Sequence, residues 1–138
     1  MVTAVAWSGI TTAVIASTLT ALKRLEEDTS LRTQLTANAD RLYDGLRDMG
    51  YAVGPHASPI TAVVMPDQAT AVMMWNALLA KGVYLNLAIP PATPENKSLL
   101  RSSVSAAHTS EQIDEVLAIF ERLGLEYGLL QRPRRASA

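Results

Sequence analysis

The first 22 residues carry no charged side chain, yet threonine and serine recur all through them. A membrane-spanning helix of about 20 residues is greasier than this, and a signal peptide starts with basic residues. The stretch predicts a helix from about Ile10 to Glu27, apolar all round and suited to burial against a protein surface outside the chain. A second helix starts near Thr29 or Ser30. Leu31, Leu35, Ala39, Leu42, Leu46 and Met49 recur at spacings of three and four, and Gly50 stops it.

Extended, apolar and β-branched stretches follow. Tyr51 to Val53 reads as a short extended piece, and Ile60 to Met65 (ITAVVM) as a strand. Asp67 can cap the next helix, which carries Ala71, Val72, Trp75, Leu78 and Leu79 inward and stops at Gly82. Trp75, Met73 and Met74 are read as core. Val83 to Ile89 is a second strand, with Val83, Leu85 and Leu87 on one face. Pro90, Pro91 and Pro94 then impose a rigid loop before a third strand, Leu99 to Ala106. Thr109 and Gln112 form a capping box, Ile113, Val116, Leu117, Phe120 and Leu123 face inward, and Gly124 is the expected stop.

This order predicts an α+β fold: a small, mostly antiparallel three-stranded sheet covered by helices, with a long N-terminal helix. The expected divisions are residues 1–28 as an interdomain helix, 29–128 as a small domain, and 129–138 as a disordered tail.

Composition narrows the chemistry. The chain has 138 residues, 49% hydrophobic and 18% charged, enough for one domain with a core. A net charge of -1 gives no footprint for nucleic acid, and Arg132, Arg134 and Arg135 read as a solvated tail. No cysteine is present, which excludes disulfides and thiolate chemistry and fits a cytoplasmic location; two histidines cannot make a multi-histidine metal site. There is no Gly-x-Ser-x-Gly and no glycine-rich phosphate loop.

What remains is the loop Ile89-Pro90-Pro91-Ala92-Thr93-Pro94 and, just beyond it, Arg101 among Leu99, Leu100 and Val104. An arginine in such a strand either meets an anion, for which a guanidinium fork suits a carboxylate, or is an edge-strand residue paired with a nearby glutamate or with water. His108 reads as a loop histidine bonded to backbone, and His56 lies in a Gly-Pro-His turn.

The segment from Ser58 to Ile113, with "AVMMWNALLAKG", "GVYLN" and "PPATP…LLR…SAAHT", resembles the C-terminal small domain of the α-oxoamine synthases, most of all their bacterial serine palmitoyltransferase branch. These are fold-type I pyridoxal-phosphate enzymes that condense an amino acid with an acyl-CoA and release carbon dioxide. The resemblance implies that Arg101 holds the substrate carboxylate and that Pro91, Ala92 and Thr93 border the same pocket. It implies a serine-like amino acid and an acyl-CoA as substrates of the complete enzyme, which works as a homodimer.

Two departures qualify it. Ile89 stands where that branch often has a second arginine. The family's cofactor lysine sits in a Ser/Thr-rich strand, whereas Lys23, Lys81 and Lys97 lie in a helix end, a helix stop and a loop. Met1 would fall just after the lysine segment. The chain alone is therefore expected to bind no cofactor and to be inactive, its first helix packing on a missing large domain or a second subunit. The other reading is a non-catalytic module that pairs with a full-length synthase; an aminotransferase small domain fits the motifs less well.

Overall fold

A computed structural model describes residues 12–130. The expected helix start at Ile10 and most of the expected tail, residues 131–138, lie outside the described residues. The chain divides into two compact units, residues 1–31 and 32–138. In the first, helix α1 runs Thr12–Glu27 with every residue exposed, including Val14, Ile15, Leu19, Leu22 and Leu25.

Helix α2, Ser30–Met49, ends where Gly50 takes a positive φ of 99°, which a side chain would resist. Its apolar face is buried only from Asn38 onward, through Ala39, Leu42, Tyr43 and Leu46; Leu31 is exposed. Strand β1 is Ile60–Met65, helix α3 is Gln68–Ala80, β2 is Asn86–Ala88, β3 is Ser98–Ser103 and helix α4 is Ser110–Glu126. As expected, Asp67 caps α3 by accepting the Thr70 N–H at 2.8 Å, and Thr109 and Gln112 close a capping box on α4.

The sheet order is β1-β3-β2, with β3 antiparallel to both neighbours. β1 and β2 are therefore parallel, joined by α3, and β3 slots between them. The Tyr51 to Val53 piece joins β1 through a Val53–Val63 bridge. Alternation along the strands sorts the two faces. Thr61, Val63, Met65, Leu100 and Ser102 are buried with Leu42, Leu46, Ala71, Met74, Leu78, Ile113, Phe120 and Leu123 of the helices. Tyr51 closes the core: its hydroxyl donates to the Phe120 carbonyl at 2.8 Å, and the two rings meet edge to face, 5.6 Å apart.

Four sequence boundaries shift. β2 is three residues long because Val83 to Leu85 stay outside the ladder, with the Leu85 carbonyl accepting from the Trp75 indole N–H at 2.8 Å. β3 ends at Ser103, since the next residues turn: the Ser105 N–H donates to His108 Nδ1 at 3.0 Å. Gly124 does not stop α4. It is buried inside the helix, where a Cβ would strike the Tyr51 hydroxyl and Leu130; the helix gives way at Gly128, φ 69°. Leu129 and Leu130, assigned to the tail on sequence, pack on the core. On α3, Met74 is fully buried but Met73 is exposed.

Candidate functional site

The face of the sheet opposite the core holds the candidate site. Register puts three residues in a row across it: Ala62 on β1, Arg101 on β3 and Asn86 on β2. The next row is Val64, Leu99 and Ala88, and Ile60 lies opposite Ser103 on the other side. Arg101, Asn86, Ile60 and Ser103 are exposed, and the remaining four are half-buried. A cation and an amide thus stand on a mainly apolar surface.

The structure bears on the edge-strand reading of Arg101, whose side chain is exposed to solvent. It occupies the central strand, not an edge, and among the described residues no carboxylate pairs with it. Two acidic residues near it in sequence are paired elsewhere. Glu95 pairs with Lys97, which holds the Glu95 carboxyl below its ordinary range. Asp114 pairs with Arg41 through two hydrogen bonds, at 2.7 and 2.6 Å, and is held low by it.

The proline loop leads from β2 to β3. The Ala92 N–H donates to the Ile89 carbonyl at 3.0 Å, closing a turn over a cis Pro90–Pro91 bond, and a 3-10 turn, Pro94–Asn96, follows. Glu95 and Asn96 take positive φ angles of 54° and 53°. Pro91 and Ala92 are exposed. Thr93 is 9% exposed, and its hydroxyl is buried with no hydrogen-bond partner among the described residues. An orphaned hydroxyl costs free energy, so Thr93 is a group in need of a donor or acceptor. Because Ala88 pairs with Leu99, this loop springs from the sheet two residues before Arg101 on the same strand.

Beyond Arg101 the strand end is locked. Asn38, buried in α2, donates to the Ser105 and His108 carbonyls at 2.9 and 2.8 Å, and its Oδ1 accepts from Gln34 at 3.0 Å. His108 is thus a backbone-bonded turn residue, as read from sequence, and His56 is exposed. A separate cavity of about 640 Å³ opens where Val83 to Leu85 part from β3, lined also by Val104, His108 and Ile113. None of Arg101, Pro91, Ala92 and Thr93 lines it.

Sequence reasoning missed Asn86. The period-two pattern put it on the face away from Val83 and Leu85, but its pairing with Arg101 depends on a register no local pattern contains.

The described residues do not fit a pyridoxal-phosphate site by themselves. Lys23, Lys81 and Lys97 are all exposed, as is every described aspartate and glutamate. Neither an enclosed lysine for a covalent bond to the cofactor nor an enclosed carboxylate for its ring nitrogen is present among them. No metal-ligating cluster exists among the described residues, and no helix among them is long and apolar enough to cross a membrane.

Comparison with known proteins gives a consistent picture. The family pattern "Aminotransferase class I and II" matches residues 2–120. A serine palmitoyltransferase of Caulobacter vibrioides is 58% identical over 126 residues, covering 91% of this chain and 31% of that protein. The serine palmitoyltransferase of Sphingomonas paucimobilis is 42% identical over 119 residues, covering 85% of this chain and 28% of its own length. The solved structure of Sphingomonas wittichii serine palmitoyltransferase superposes with a TM-score of 0.79 at 41% identity, covering 86% of this chain and 30% of that one. The chain thus spans about a third of the length of the curated relatives it matches.

Proposed function

Since the chain belongs to the aminotransferase class I and II family, in its α-oxoamine synthase branch, we propose that it is the carboxylate-holding small domain of a cytoplasmic, homodimeric, serine palmitoyltransferase-like enzyme. Such an enzyme joins an amino acid to an acyl-CoA with loss of carbon dioxide, the first carbon–carbon bond of a sphingoid base. The observation that supports this reading is Arg101: a guanidinium with no counter-ion among the described residues, central on a mainly apolar sheet face. A planar fork of N–H donors there suits a carboxylate held at two points.

In this reading Arg101 orients the amino acid so that the bond lost with carbon dioxide is fixed in space. Pro91 and Ala92 wall the pocket, and the Thr93 hydroxyl finds its partner in the ligand or in the surface that closes over it. Pyridoxal phosphate belongs to residues beyond those described, in a longer protein or a second chain. The exposed Val14, Ile15, Leu19 and Leu22 of α1 suit contact with that part. The chain by itself forms no product.

The test is Arg101→Ala in the holoenzyme that contains this chain. Serine affinity should fall about a hundredfold, the size of a lost charge-assisted pair of hydrogen bonds, with acyl-CoA affinity unchanged. Unchanged serine affinity would remove the carboxylate role. Product formed by the isolated chain with serine, acyl-CoA and pyridoxal phosphate would overturn its dependence on another part. Co-purification with a complete synthase that is active without it would favour the non-catalytic module instead.

A further inference from the structure

We propose that Asn86 is a second carboxylate ligand beside Arg101, and so a specificity-determining residue for the amino acid. The proposal rests on the carboxylate role just given to Arg101.

Asn86 is the direct cross-strand partner of Arg101 in the β2–β3 ladder. Directly opposite residues hold their Cβ atoms about 4.5–5.5 Å apart on one face, so an Arg101 side chain inclined toward β2 brings its ligand within reach of the Asn86 amide. Both side chains are exposed, and among the described residues neither makes a side-chain hydrogen bond. On the other flank of Arg101 the partner is Ala62, too small to compete for the guanidinium. In the next row Val64, Leu99 and Ala88 offer no donor, and Ile89, where the loop begins, offers none either. Asn86 is therefore the one amide donor in the row of Arg101.

The chemistry follows from donor counting. A carboxylate has about four lone-pair directions, of which an arginine fork fills two. The Asn86 NH₂ can fill a third, on the oxygen nearer β2. That fixes the rotation of the carboxylate about its bond to Cα, which a single fork leaves free to rock. With one cation in the row, the added neutral donor strengthens anion binding without a second charge to desolvate.

The experiment measures KM for serine and for acyl-CoA in the holoenzyme that contains this chain, for Asn86→Ala, Asn86→Asp and Arg101→Ala. Asn86→Ala should raise KM for serine about tenfold, one hydrogen bond to a charged group, with kcat within about twofold and KM for acyl-CoA unchanged. Asn86→Asp should do far more, because its carboxylate both repels the ligand and occupies Arg101. If Arg101→Ala weakens serine binding while Asn86→Ala leaves it unaltered, Asn86 is not a ligand and the reading of Arg101 stands. Should Arg101→Ala itself leave serine binding unaltered, both fall. Equal changes in both KM values for Asn86→Ala would mean general damage to the fold and overturn the assignment.

Discussion

Leu100 and Arg101 are adjacent on β3 and live in opposite surroundings. Leu100 is wholly buried against α3 and the core, opposite Val63 of β1 and Leu87 of β2. Arg101 faces the other way, between Ala62 and Asn86, exposed and with no counter-ion among the described residues. The core face is tied off at every polar atom that could be costly: the Ser102 hydroxyl donates to the Thr61 carbonyl, and the Tyr51 hydroxyl to that of Phe120. The open face carries Arg101, Asn86 and Ser103 exposed to solvent, and in the adjoining loop the buried Thr93 hydroxyl has no partner among the described residues. One face spends its chemistry on the fold and the other keeps it in reserve, which is the difference expected between a scaffold and a site.

The largest expected effect separates the two faces directly. Leu100→Ala should cost about 2–5 kcal/mol of unfolding free energy, from lost transfer energy and the cavity left behind. Arg101→Ala, one residue along, should change it by no more than about 0.5 kcal/mol. Chemical denaturation of both variants decides the matter. A destabilisation by Arg101→Ala comparable to that of Leu100→Ala would mean the arginine serves the fold, and the contrast would break.

The next effect concerns what holds the strand beyond the site. Asn38→Ala removes three hydrogen bonds, one from Gln34 and two that leave the Ser105 and His108 carbonyls stranded, costing about 2–3 kcal/mol. Asn38→Asp should cost more, since a carboxylate set against two carbonyls is repelled, although its size is nearly the same. If Asn38→Asp were as stable as the unaltered chain, the turn would not depend on the amide.

Much of this was legible in the sequence because it is local. The α+β order, the caps at Asp67 and Thr109, the whole of β1 and the inward stripe of α4 follow from periodicity, β-branched composition and capping chemistry. What was not legible depends on pairing and close approach. Gly124 looked like a stop, yet it is bare because Tyr51 and Leu130 press against it. Val83 to Leu85 have strand composition, but the Trp75 indole holds the Leu85 carbonyl away from the ladder. Asn38 sat among apolar positions as a polar exception, and only the fold brings it to the turn at Ser105. In the candidate site, Arg101, Pro91, Ala92 and Thr93 stood out through motif, whereas Asn86 emerges from register alone.

The smallest effect belongs to the surface of the helical side, where the open face has no counterpart. Arg41 of α2 and Asp114 of α4 clasp through two hydrogen bonds, and the guanidinium holds the Asp114 carboxyl below the ordinary aspartate range. A carboxyl whose pKa is lower folded than unfolded stabilises the fold above its unfolded value; that contribution disappears as pH falls through the folded one. Asp67, held low by the Thr70 backbone and hydroxyl, acts in the same direction. Stability should therefore decline from about pH 4 downward, and Asp114→Asn should make the decline shallower while lowering neutral-pH stability only slightly, because both partners are about half exposed. Melting temperatures measured from pH 7 to pH 2 would show it. An identical acid limb in Asp114→Asn would mean that the clasp lends the helical layer nothing, and that the caps and burial hold this side instead.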